Sequence, residues 1–158
     1  MAEIRYGHRN GPGKGREYPV AASQYLGRRG GKFCYLAAGN LNTCASACSI
    51  IAGWVESPKD ASGYNSWKSS ATAGKDKVFL ISGLEDVFEL PCSEGIASLA
   101  VTHIGQGADL HESGGNATYL TEQEARLGMT ASPLSIVDVD LTNKTVFVKI
   151  KPGSLQSV

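Results

Sequence analysis

Cys44 and Cys48, spaced C-x3-C, are the side chains of this chain closest to a metal-ligand or redox spacing. A tetrahedral structural site needs a second close Cys or His pair, and none follows, so no metal is expected. Four cysteines (Cys34, Cys44, Cys48 and Cys92) would permit two disulfides. However, the charged N-terminus has no apolar run of the leader type, which favours reduced thiols acting as small hydrophobes in a cytoplasmic product. His103, Asp109 and His111 could ligate a cation only if a turn brought them together, and nothing in their spacing requires that. Gly105-Gln106-Gly107 opens like a dinucleotide loop but lacks the third glycine and a long helix to follow, so a tight turn is expected. There is no G-x-S-x-G, H-E-x-x-H or P-loop pattern. Asp138 and Asp140 alternate with valines in a way that solvation explains. These residues point to no cofactor and to a chain that is not an enzyme.

Charge is more informative. Residues 1–32 hold seven Lys or Arg against two Glu, a balance of +5, and the remaining 126 residues hold eight against thirteen, a balance of −5. The formal net charge of zero therefore conceals a basic segment on an acidic body. Residues 1–17 are punctuated by Gly7, Gly11, Pro12, Gly13 and Gly15 and show no apolar period. They read as an extended basic arm without helix or strand, ordered against a partner and dispensable for folding of the rest. Tyr6, Tyr18 and Tyr25 are interleaved with the charges, which suits contact better than solubility alone.

Elements that could carry these residues are mostly strands. At 158 residues the chain has the length of one domain, 18–158, plus the arm. Its 19 glycines suggest many turns, and no stretch approaches the roughly 18 apolar residues of a membrane helix. Residues 18–55 read as successive short strands, and Gly53 inside IIAGWV marks a bulge or a close backbone approach. Residues 56–77 form a long polar loop, in which Tyr64 and Trp67 either pin the loop to the body or contact a neighbouring subunit; both readings stay open. VFLIS and DVFELP read as strands, and 97–110 as a short helical turn leading into a strand. TEQEARL, 121–127, has the spacing of a capping box and is expected to form one or two helical turns. In SIVDVDL and TVFVKI, Val137, Val139 and Leu141 and then Val146, Val148 and Ile150 recur with period two, giving a hairpin with one wet face and with Val139 and Val148 inward. The expected fold is all-β, a small antiparallel β-barrel or sandwich with an extended basic N-terminal arm.

From about residue 31 to 151, roughly three quarters of the chain, the order of segments resembles the small β-barrel head decoration (capsid cement) proteins of tailed bacteriophages. GGKFCYLAAGN looks like that family's opening strand and IIAGWVESP like its next one. KVFLISGLEDVFELPC is similar to its hydrophobic pair ending near a proline, and IGQGADLHESGGNATYL followed by PLSIVDVDLTNKTVFVKI is similar to its closing part. The likeness lies in pattern and does not extend to the basic arm or to the 56–77 loop.

The resemblance implies a homotrimer on the outer surface of a virion, at three-fold positions, bound to the major capsid protein. The charge pattern then makes Arg5, Tyr6, Arg9, Lys14, Arg16, Tyr18, Arg28 and Arg29 the residues expected to bind the capsid, and whether Tyr64 and Trp67 contact a neighbouring subunit stays open. Fully extended, residues 2–18 would reach about 55 Å. A small β-barrel nucleic-acid-binding protein is the alternative, but it would need aromatic side chains on a positively charged sheet face, and the body here is acidic.

Overall fold

The computed structural model describes residues 6–26, 30–44, 48–58, 67–92, 99–112, 123–127 and 132–157. The fold is all-β, built of antiparallel strands in two sheets. One sheet has the order β1 (Gly7–Asn10), β7 (Val87–Pro91), β11 (Thr145–Ile150), β10 (Leu134–Asp140), β8 (Gly107–Glu112), β9 (Gln123–Leu127). The other runs β2 (Gly15–Pro19), β6 (Lys77–Ile81), β5 (Gly53–Glu56), β3 (Gly31–Ala37), β4 (Asn40–Thr43). Its outer strands approach each other through a bridge between Val20 and Leu41, which curls the sheet into a half-barrel.

The unbroken apolar runs of the central strands follow from burial on both faces. Phe33, Trp54 and Ile81 enter the core shared with the six-stranded sheet, where they meet Phe88, Leu90, Ala108, Leu110, Leu134, Ile136, Val146, Val148 and Ile150. Their neighbours Cys34, Val55 and Leu80 point into a second core inside the curl, with Val20, Leu26, Leu41, Ala52 and Val78. Phe33 packs edge-to-face on both Trp54 and Phe88, with ring centroids 5.0 and 5.1 Å apart. Gly53 is a close backbone approach, as its place in the strand suggests, because a Cβ there would lie 2.2 Å from the Ile81 carbonyl oxygen.

Two glutamines complete pairing that no strand supplies. Gln123 accepts from Phe33 N at 2.6 Å and donates to Phe33 O at 2.9 Å and Cys44 O at 2.8 Å. Gln156 treats Leu36 in the same manner, at 2.8 and 2.9 Å. Each side-chain amide imitates a missing strand along β3, so its backbone groups are satisfied where they are buried.

Three expectations are corrected. The N-terminal segment is not free of regular structure: β1 pairs with β7 and β2 with β6, one on each sheet. Its glycines bend the chain between short edge strands, with positive φ at Gly7, Gly11 and Gly13, rather than preventing pairing. Residues 123–127 form a strand, not a helical turn, since Gln123 and Ala125 alternate inward while the segment pairs with β8; a weak local propensity gives way to tertiary pairing. In the β10–β11 hairpin the strands are as expected, but Ile136 faces Val148 and Asp138 faces Phe147, so Val137 is an extra, bulged residue. It is 38% exposed, whereas Ile136 and Val148 are buried and Val139 packs partly against the core.

The second half of the 56–77 loop is fixed in place. Ser69 N donates to Gln24 O and Ser23 N to Ser70 O, both at 2.9 Å, and Ser69 Oγ donates to Ala21 O at 2.7 Å. Trp67 packs against the second core. No helix among the described residues is long and apolar enough to cross a membrane.

Candidate interaction site

The N-terminal segment is clasped to the body by two carboxylates that are themselves buried. Asp86, in the turn between β6 and β7, meets His8 Nε2 at 2.8 Å and accepts from Gly13 N at 2.8 Å. Glu89 on β7 accepts from Arg9 Nε at 2.7 Å with one oxygen and from Thr145 Oγ1 at 2.7 Å with the other. A buried carboxylate requires such partners, so β1 brings with it the donors that make Asp86 and Glu89 tolerable. Gly7, with a φ of 129°, lets the strand lie against the Trp54 indole, where a Cβ would be 3.0 Å from Nε1.

This arrangement sorts the basic residues. Arg9 is engaged with Glu89, and Lys32 is 2% exposed and pairs with Glu112 at 3.0 Å. Tyr6 is buried in the chain's own body, which removes it as an exposed anchor for a partner. Lys14 and Arg16 remain exposed, and neither forms an ion pair among the described residues. Arg5, Arg28, Arg29 and Tyr64 lie outside the described residues.

Lys14, Arg16 and Tyr18 fall on one face of β2 by strand alternation and, with Gly15, Leu80 and Ser82, line an open groove of about 400 Å³. Arg16 lies over the Tyr18 ring at 4.8 Å and donates from Nε to the Tyr18 hydroxyl at 2.6 Å. The stacking holds the guanidinium while leaving its remaining N–H groups for a ligand. The charge of Lys14 and Arg16 is therefore placed on a sheet face, a correction to its expected position on a separate arm.

The thiols occupy a different place. Burial pushes Cys34 up to about 12 and raises Cys92 as well. Cys44 and Cys48 hydrogen-bond to each other, which raises Cys44 and draws Cys48 below the ordinary thiol value. Cys48 also donates to Ile50 O at 3.1 Å. Among the described residues no group of three Cys, His, Asp or Glu side chains could hold a metal ion. His103 binds its own turn through Ala100, whereas Asp109 is buried in β8 and Asp138 and Asp140 lie on the exposed side of the hairpin.

His8, Asp86, Glu89, Thr145, Gln123 and Gln156 carry no signal in the sequence, since each acts across 56 to 120 residues. The one available hint is the Asn10-Gly11-Pro12-Gly13 turn between two short polar segments. No protein-family model matches the chain, and neither a curated protein nor a solved structure does.

Proposed function

We propose that this chain is a structural, non-enzymatic protein that decorates and stabilises a viral capsid, binding the major capsid protein as a homotrimer on the outer surface of the virion. The observation that carries the reading is the sorting of charge: Arg9 and Lys32 neutralise carboxylates of the chain itself, whereas Lys14 and Arg16 line a groove and form no ion pair among the described residues. A pair of exposed cations on a sheet face suits a partner surface of opposite charge. The segments that resemble head decoration proteins supply β3, β5, β6, β7, β8, β10 and β11, the strands that build the shared core.

Co-sedimentation with undecorated heads of the cognate capsid tests this. The protein should saturate the three-fold positions, and light scattering should give about three times 16.6 kDa. Failure to decorate such heads overturns the reading.

Single-stranded nucleic acid is a second reading, favoured by the Tyr18 ring beside two cations on one face. Arg16 already covers that ring, which leaves it less free for a base. Affinity for random single-stranded DNA that falls steeply with salt would favour this alternative.

A further inference from the structure

β2 is an outer strand of its sheet, and its backbone faces two ways. Val20 N donates to Asp76 O at 2.9 Å at one end, and Ser82 N donates to Lys14 O at 3.1 Å at the other. Between them runs an antiparallel register from Gly15↔Ile81 to Pro19↔Lys77. Lys14, Arg16, Tyr18 and Val20 therefore turn their backbone groups toward β6, and Gly15 and Glu17 turn theirs outward. Residues 14–17 are exposed, so this stretch of edge is open, whereas beyond it Ala21 N donates to Leu41 O at 2.9 Å.

We propose that this edge and the adjoining Lys14–Arg16 groove receive an extended acidic peptide as an added strand, with two carboxylates at alternate positions. Charge complementarity selects the occupant. Lys14 and Arg16 are two residues apart on one face, a separation of roughly 6.5–7 Å, and carboxylates at i and i+2 of a strand have the same spacing. The residue between them lies opposite Gly15 on the other face, with Glu17 as its diagonal neighbour. An acid there would be repelled by Glu17, whereas an apolar side chain meets no such repulsion. The recognised pattern is acid–apolar–acid, with main-chain bonds giving affinity and alternate side chains giving choice. The protein's own Asp138-Val139-Asp140 has this pattern but lies in β10, paired with β11, and is not available.

This inference rests on the groove being the attachment site, and a test with peptides separates the two. The probe is a fluorescent, end-blocked heptapeptide Ser-Thr-Asp-Val-Asp-Thr-Ser, titrated with the full chain by anisotropy at low salt. Controls are a version with the two acids adjacent, and one N-methylated on the amide of the central valine or, separately, of each flanking aspartate. The parent peptide should bind at least about tenfold more tightly than the adjacent-acid version, a difference of about 1.4 kcal/mol. At least one N-methylation should cause a similar loss, as should Lys14→Glu with Arg16→Glu in a protein whose circular dichroism is unchanged. Equal binding of the parent and adjacent-acid peptides, or no effect of any N-methylation, overturns strand addition. If the peptide binds as expected but heads are not decorated, the capsid reading falls and the inference stands. If heads are decorated but no peptide binds, the inference falls and the capsid reading stands.

Discussion

Arg9 donates from Nε to Glu89 Oε2 at 2.7 Å, joining an outer strand of the six-stranded sheet to a buried carboxylate of β7. The N-terminal segment thereby becomes part of the body. Replacing Arg9 with Ala leaves Glu89 with Thr145 among its side-chain partners in this pair of contacts and removes a charge-assisted bond worth about 2 kcal/mol. Chemical denaturation should show a loss of that size; an unchanged midpoint would mean that the pair is not formed in solution.

Deleting residues 2–17 tests the same relationship at larger scale. The sequence alone suggests that the remainder would fold undisturbed. The structure predicts otherwise, since the deletion removes β1, most of β2, the His8 and Gly13 partners of the buried Asp86 and the Arg9 partner of Glu89. A clear fall in melting temperature is expected, and a truncated protein as stable as the full chain would contradict the clasp.

Gln123→Leu removes the amide that serves Phe33 N, Phe33 O and Cys44 O. Each buried group left without a partner costs about 1–3 kcal/mol, so the substitution should destabilise by about 3 kcal/mol or more. Hydrogen exchange should also show loss of protection at the Phe33 amide. Retained protection there would show that another group satisfies it.

The hairpin bulge makes adjacent valines unequal. Val148→Asp places a carboxylate in the core and should cost several kcal/mol, about the penalty for burying an unpaired polar group or more, whereas Val137→Asp should shift stability by only about 0.5 kcal/mol. Similar thermal shifts for the two would place the bulge elsewhere.

The thiols should react in order. Cys48 is half-buried and drawn below the ordinary value of 9.0 by its hydrogen bond from Cys44, so its thiolate forms first as pH rises. Its alkylation by iodoacetamide should already be appreciable below pH 9.0, while Cys34, pushed up to about 12, resists in the folded protein. Mass spectrometry of peptides from the alkylated protein checks this. Preferential modification of Cys34 would contradict the assignment.

Much of this architecture is legible in the sequence where local pattern reports burial. The period-two valines of TVFVKI define β11, and IIAGWV reveals a strand covered on both faces with a glycine at a backbone contact. What escapes is set by distant partners. Gly7, His8 and Arg9 have no strand signature of their own, and they pair because Asp86 and Glu89, nearly eighty residues away, need donors. Gln123 sits in a helix-like string and becomes a strand residue because its amide fits the open edge of β3. The groove was half visible: Lys14, Arg16 and Tyr18 are readable as basic and aromatic residues, but only the β2–β6 register puts all three on one face.

The central claim is that the exposed Lys14–Arg16 face attaches the protein to a capsid. The most direct measurement is co-sedimentation with undecorated cognate heads, comparing the native protein, Lys14→Glu with Arg16→Glu, and the opposite-face variant Glu17→Lys, all at matched circular dichroism. The account predicts saturating decoration by the native protein, near-complete loss with the double reversal, and little change with Glu17→Lys. Undiminished decoration by the double reversal would contradict it.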